Sequence, residues 1–241
     1  MMERRSELGQ LMHDEHFRTL VLSCELENRV TGKAGQRPYD PADAEDRRLF
    51  AQLIAGLGEI GGHNAFEENV LFPLIRDRDE GQLTALLTSE HAQMAPMLHR
   101  LLGAAREIVG RGPTKSRWSE FCDAARALVA EMMFHLEKEE LTVVQQLGSY
   151  LDPGVDHALA LRYLVEKRGW TGSVVRTVST TRMIDRLAKR YGLAIHETPV
   201  GFNHIADYMM KEDVLIGGEE SGGISFKGHI PEGDGVLMGL L

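Results

Sequence analysis

The chain has 241 residues, of which 26% are charged and 43% hydrophobic, a composition that excludes intrinsic disorder over most of its length. A net charge of −9 without a basic stripe argues against a nucleic-acid partner. No apolar run approaches the ~18 residues of a membrane span, no apolar stretch follows Arg4 and Arg5 as a signal peptide requires, and two cysteines make no disulfide framework, so a cytoplasmic protein is expected.

The chain divides near Asp152-Pro153-Gly154, which reads as a turn. The first 152 residues carry a net charge of −8 and 12 glycines; the last 89 carry −1 and 13 glycines. A helical part followed by a turn-rich part is expected, with domains at 1–152 and 153–241.

Four helices are expected in the first part. The first runs from Glu7 to Arg29, with Leu8, Leu11, Phe17, Leu20, Val21 and Leu26 as its apolar positions. A loop with Gly32, Gly35, Pro38 and Pro41 follows. The second helix starts at an Asp40 or Asp43 cap and reaches Arg76. Gly56, Gly58, Gly61 and Gly62 lie inside it, so either it bends there or a close neighbour needs the missing side chains. The third helix runs from Gly81 to Val109, ended by Gly110 and Gly112, and the fourth from Lys115 to Tyr150. Four long helices joined by shorter loops favour an antiparallel bundle.

In the second part strand and helix alternate: helix 156–167, strand 173–178, helix 182–191 closed by Gly192, strand 193–197, helix 202–211 and strand 214–216. That order implies an α/β unit with parallel pairing. The fold class is therefore multi-domain, an all-α up-down four-helix bundle followed by a small, incomplete α/β domain.

The histidines carry the chemistry. His63-x-x-x-Glu67 and His135-x-x-x-Glu139 each put an imidazole and a carboxylate one turn apart on one helix face. His16 (or His13, one turn earlier) and His91 add a nitrogen donor from each remaining helix. Mixed carboxylate and imidazole donors suit iron or manganese, and also zinc. The alternative is a metal-free helical interaction module with surface histidines. Met12, Met94, Met97, Met132 and Met133 read as core filling, and Cys24 and Cys122 as buried structural thiols.

The order His16, His63-x-x-x-Glu67-Glu68, Glu90-His91, His135-x-x-x-Glu139-Glu140 resembles the haemerythrin-like HHE cation-binding domain over residues 7–150. The resemblance implies a non-haem di-iron centre with His16, His63, His91 and His135 as terminal ligands and Glu67 and Glu139 as bridges. It favours His16 over His13, and leaves Glu68, Glu140, His13 and His99 as solvated or supporting groups. The oxygen-carrying members place a second histidine where this chain has Ala95, and their last carboxylate is an aspartate one residue beyond Glu139. The resemblance therefore implies sensing or redox chemistry with oxygen, nitric oxide or peroxide rather than oxygen storage.

A second motif is Gly217-Gly-Glu-Glu-Ser-Gly-Gly223. With Val174-Val-Arg-Thr-Val-Ser-Thr-Thr181, Glu197-Thr-Pro-Val-Gly-Phe202 and Asp234-Gly-Val236 it resembles the third domain of the α-D-phosphohexomutases over residues 156–241. That resemblance implies sugar-hydroxyl contacts from Glu219 and Ser221 and a phosphosugar ligand. The chain lacks the family's phosphorylatable serine loop, and Asp77-Arg-Asp79 is only superficially like its magnesium loop. Complete mutase activity is not expected.

Overall fold

The computed structural model describes residues 6–76, 81–219 and 223–228. Its contacts divide the chain into two units: His13–Thr142, and the residues up to Met12 together with those from Val143 onward.

Helix α1 (Glu7–Val30) is followed by a short helix α2 (Gly32–Gln36) where a plain loop is expected. α3 (Ala44–Phe66) starts after Asp43, whose side chain accepts the Glu45 N–H, and so settles the choice of cap. A π-type turn (Glu67–Leu71) and α4 (Phe72–Ile75) continue its path. The irregularity therefore lies at Glu67 and not at the glycines. Pro73 lacks an N–H and its ring crowds the carbonyl of Asn69, so the turn before it widens, and the Phe72 N–H bonds back to the Glu67 carbonyl. Of the four helix glycines only Gly56 has a close neighbour. A methyl group there would meet Leu22 Cδ2 at 2.6 Å, whereas Gly58, Gly61 and Gly62 face open space.

α5 (Gln82–Arg111) and α6 (Lys115–Thr142) complete the four long helices of the bundle. α6 is shorter than expected. Thr142 turns its hydroxyl onto the Lys138 carbonyl at 2.6 Å, and the β-branched run Thr142-Val143-Val144 passes into a 3₁₀ turn (Val144–Gln146) and then α7 (Leu147–Tyr150).

The bundle core is a stripe along each helix. On α1 the buried stripe is Met12, His16, Ser23, Leu26 and Val30, so Phe17 and Val21, one position off it, face solvent. Cys24, expected to be buried, is exposed for the same reason. On α6 the stripe is Phe121, Ala125, Leu128, Met132, His135 and Glu139; Phe134, at 72% exposure, and Leu141 lie outside it. Met12, Met94 and Met132 are buried as expected, but Met133 is not.

The end of this unit near Trp118 is closed by an aromatic stack and an ion network. Phe50, Phe121 and Trp118 pack ring against ring, and the Arg29 guanidinium lies 4.5 Å over the Trp118 ring. Buried Asp46 accepts from Arg29 Nε at 3.1 Å, Arg37 Nη2 at 3.0 Å and the Asp40 N–H at 2.9 Å.

In the other unit, Pro153 opens α8 (Pro153–Glu166) at its first turn, where a missing N–H costs nothing; the expected turn is a helix start. Asp156 on α8 accepts the Leu8 N–H at 3.1 Å, tying the start of α1 to this unit. β1 (Ser173–Thr177), α9 (Met183–Tyr191), β2 (Ile195–Thr198), α10 (Phe202–Lys211), β3 (Val214–Gly218) and β4 (Ile224–Phe226) follow. The sheet order is β2-β1-β3-β4, with β1 parallel to β2 and β3, and β4 antiparallel to β3. β1 and β3 are buried throughout, as the central strands of a covered parallel sheet should be. The three-residue β4 has too short a pattern to be legible in sequence.

Asp46 supplies the first prediction. Burial opposes its charge, but the bond from Arg29 and the neighbouring cations hold its pKa below the ordinary carboxylate value. Its contribution to stability is present above the unfolded value of about 3.9 and is lost as the pH falls below it. Asp46→Ala leaves Arg29 buried without its partner and should destabilise this unit by roughly 3–5 kcal/mol. Denaturant unfolding at pH 7 checks this, and the variant's stability should also depend less on pH on the acid side.

Candidate metal centre

Four helices each bring a histidine to one point in the bundle. His16 comes from α1, His63 from α3, His91 from α5 and His135 from α6. His16 and His63 stand Nε2 to Nε2 at 3.0 Å, and so do His91 and His135. Between these pairs lie the carboxylates of Glu67 and Glu139, 2% and 1% exposed.

Each carboxylate spans both pairs. Glu67 Oε1 is 3.2 Å from His63 Nε2, and its Oε2 is 3.5 Å from His91 Nε2. Glu139 Oε2 is 3.4 Å from His16 Nε2 and 3.3 Å from His135 Nε2, while its Oε1 is 3.5 Å from His91 Nε2. Glu67 Oε2 and both Glu139 oxygens are buried without a hydrogen-bond partner. Two groups have ligand atoms close enough to hold an ion: His16, His63, Glu67 and Glu139, and His91, His135 and Glu139. All six residues expected from sequence are thus brought together.

Outer carboxylates fix three of the imidazoles. His16 Nδ1 meets Glu140 at 2.8 Å, His91 Nδ1 meets Glu68 at 2.9 Å, and His135 Nδ1 meets Glu90 at 3.0 Å. An ionised carboxylate only accepts, so each Nδ1 carries the proton and donates it. In the neutral ring Nε2 is then a lone pair aimed at the other lone pairs and at the orphaned oxygens. Such a cluster is mutually repulsive unless protons or a cation occupy it, and a metal cation fits it. Phe72, buried, stacks on the His91 ring with centroids 5.9 Å apart.

The metal-free site answers with protons. Burial lowers the pKa of His16, but its bond to Glu140 and the nearby Glu67 and Glu139 carboxylates outweigh that and raise it to about 10. His91 and His135 are raised against burial by the same kind of partners. Glu67 is pushed up by burial but held well below the carboxylate range by His63 and His16, and Glu139 is lowered by the nearby His135 and His91 imidazoles despite burial and the Glu67 charge.

The residues around this shell were only partly legible. Glu140 also meets His13 Nδ1 at 2.9 Å, so His13 lies one layer out and His16 takes the inner place. Glu90 is further held by Lys138, which the sequence reading passed over; its only signal is its position one turn after His135. His99 is exposed.

A cavity of about 60 Å³ reaches this centre from the surface between α1 and α3, touching His16, His63, His135 and Glu139.

Residues 10–147 match the model of the Hemerythrin HHE cation binding domain. The chain belongs to that family. Its cation-binding character agrees with the donor set described above. Residues 156–241 match phosphoglucomutase/phosphomannomutase, alpha/beta/alpha domain III. A phosphoglucosamine mutase of Alkaliphilus metalliredigens is 28% identical over 94% of this chain and 50% of its own length. A phosphoglucomutase of Komagataeibacter xylinus is 38% identical over 39% of this chain and 19% of its own. A solved structure of a putative phosphomannomutase from Thermus thermophilus is 41% identical over 33% of this chain and 18% of its own, with a TM-score of 0.30. The chain spans about half the length, or less, of the curated relatives named here.

In the part matching the mutase domain, Thr177, Thr198 and Glu219 stand at the carboxyl ends of the parallel strands or just beyond them. Gly217 and Gly218 belong to β3 rather than to a loop, and a methyl group at Gly218 would run into the His157 ring at 2.3 Å, so the strand has room only for glycine there. Glu219 Oε1 accepts the Gly201 N–H at 2.6 Å, which ties the loop after β3 to the turn before α10. Ser221, Asp234-Gly-Val236 and Asp77-Arg-Asp79 lie outside the described residues. Among the described residues no helix is long and apolar enough to cross a membrane.

Two outcomes follow for the centre. The raised imidazole pKa values mean that a metal must displace protons, so uptake at pH 7 should release protons and affinity should fall as the pH falls. Calorimetric titration in buffers of different ionisation enthalpy measures that release. Glu140→Ala frees the His16 ring and should weaken metal binding by roughly 10–100-fold while the helical circular dichroism is kept.

Proposed function

We propose that the bundle is a non-haem di-iron protein that senses or detoxifies a small ligand, with oxygen, nitric oxide and peroxide as the candidates. His16, His63, Glu67 and Glu139 would hold one ion, and His91 and His135 the other, with Glu67 and Glu139 bridging. The observation that carries this reading is the convergence of fixed imidazole lone pairs on orphaned carboxylate oxygens that span both pairs. Bound iron would supply a reversible change of charge and an open position for a small ligand. Glu140, Glu68 and Glu90 keep the tautomer and ring angle of their histidines, so the donor set stays aimed whether or not an ion is present. Manganese and zinc fit the same donors and would be separated from iron by the test. A cytoplasmic setting, where exposed Cys24 stays reduced, suits this role.

Thermal melting with and without chelator tests the reading, because an ion that binds only the folded bundle raises its stability by mass action. Iron-loaded protein should melt well above chelated protein. Glu67→Ala and Glu139→Ala should lose most of that difference. Identical melting of loaded and chelated wild-type protein would leave a metal-free helical module.

A second reading concerns the residues from 153 on, which join the bundle in sequence near Asp152. Their match to the mutase domain, and the position of Thr177, Thr198 and Glu219 at strand carboxyl ends, support a phosphosugar-binding fragment without complete catalytic machinery. On this reading Glu219 and Ser221 contact sugar hydroxyls. Glucose 1-phosphate or glucosamine 1-phosphate should bind by calorimetry, and Glu219→Gln should weaken that binding at least tenfold without lowering the melting temperature.

A further inference from the structure

Three outer carboxylates stand behind the inner histidines, and each has a different second partner. Glu140 holds His16 Nδ1 through one oxygen and His13 Nδ1 through the other. Glu68 holds His91 Nδ1 through Oε1, and its side chain is 35% exposed. Glu90 holds His135 Nδ1 through Oε2 and the Lys138 ammonium through Oε1. Among the described residues no lysine or arginine pairs with Glu68 or Glu140. We propose that Lys138 is a positioning residue that, through Glu90, weakens the electron donation of His135 and so raises the reduction potential of the ion that His91 and His135 hold. The proposal rests on the metal-binding reading above.

Helical spacing places the group. Lys138 follows His135 by three residues on α6, so the two side chains are neighbours along that helix. Glu90 comes from α5, one residue before His91. It reaches across to α6, where His135 and Lys138 take one oxygen each. Both oxygens are thereby engaged, and the carboxylate is held from two sides. His135 is buried, whereas the Lys138 side chain is 32% exposed. The line of contacts thus runs from a ring in the centre to a charge that water reaches.

An ionised carboxylate that accepts the Nδ1–H of a ligating histidine makes the ring a stronger donor. A stronger donor favours the higher charge of a bound ion and lowers its potential. An ammonium on the same carboxylate competes for its negative charge, so the ring donates less. Glu90 and Lys138 together add no net charge behind His135, while Glu68 stands behind His91 with no cation beside it among the described residues. His135 Nε2 is 3.3 Å from Glu139 Oε2, and His91, His135 and Glu139 form one of the two groups able to hold an ion. The change at His135 therefore falls on that ion. A partly exposed lysine–glutamate pair is ordinarily worth little to stability. Its place behind the hydrogen bond of a donor ring is what gives this one an effect on the centre.

The test is a redox titration of the iron-loaded full chain, followed by visible absorbance. Lys138→Gln should lower the potential of at least one iron step, raising the ferric-to-ferrous ratio at a fixed potential about tenfold (about 59 mV for one electron). Lys138→Arg keeps the charge and should keep the wild-type potentials. Glu90→Gln removes the carboxylate that relays the effect, so adding Lys138→Gln to it should change the ratio less than about threefold. A pair that only ties α5 to α6 would change melting without moving any potential. Unchanged potentials in Lys138→Gln at full iron content overturn the proposal, as does an equal shift with and without the Glu90 carboxylate. If wild-type protein takes up no iron, the metal-binding reading itself fails. Iron content, measured on the same samples, separates the two failures.

Discussion

Two carboxylates buried at the centre of a helical bundle constrain everything around them. Glu67 and Glu139 are almost wholly removed from water, and three of their four oxygens have no hydrogen-bond partner. Burying ionised groups in this way is costly unless opposite charge is supplied on the spot. The protein supplies it in layers: imidazoles from four helices, then Glu68, Glu90 and Glu140 behind three of them, then His13 and Lys138. A bundle held only by apolar packing would have no use for such an arrangement. The arrangement makes physical sense when cations, protons or metal, sit between the two pairs of histidines.

That constraint orders the rest of the bundle. The buried stripes of α1 and α6 run through His16, and through His135 and Glu139, so core packing and donor placement share the same helix faces. The wide turn at Glu67–Leu71, forced by Pro73, begins at a site carboxylate and is followed by Phe72, which backs the His91 ring. The far end is closed independently by Asp46, Arg29 and the Trp118 stack, which leaves the middle free to carry polar groups.

Much of this was legible in the sequence because helical spacing converts directly into shared faces. His63 with Glu67 and His135 with Glu139 needed only the four-residue repeat, and the Phe202–Lys211 helix was read to the residue. What was not legible depended on partners from other helices. Spacing alone could not rank His13 against His16; Glu140 holds both, and only packing turns one inward. The exposure of Phe134, Leu141, Phe17 and Cys24 follows from the phase of each stripe, which a list of apolar residues does not fix. The early end of α6 at Thr142 and the helix start at Pro153 were decided by local bonding and backbone geometry that composition does not show.

The central claim is that the paired carboxylates and histidines are one two-ion site. Anaerobic titration of metal-free protein with ferrous iron, followed by Mössbauer spectroscopy of the loaded sample, measures this most directly. The account predicts saturation at about two irons per chain, in two inequivalent environments of nitrogen and oxygen donors. Saturation at no iron, or iron bound equally well by Glu67→Ala and Glu139→Ala variants, would contradict it.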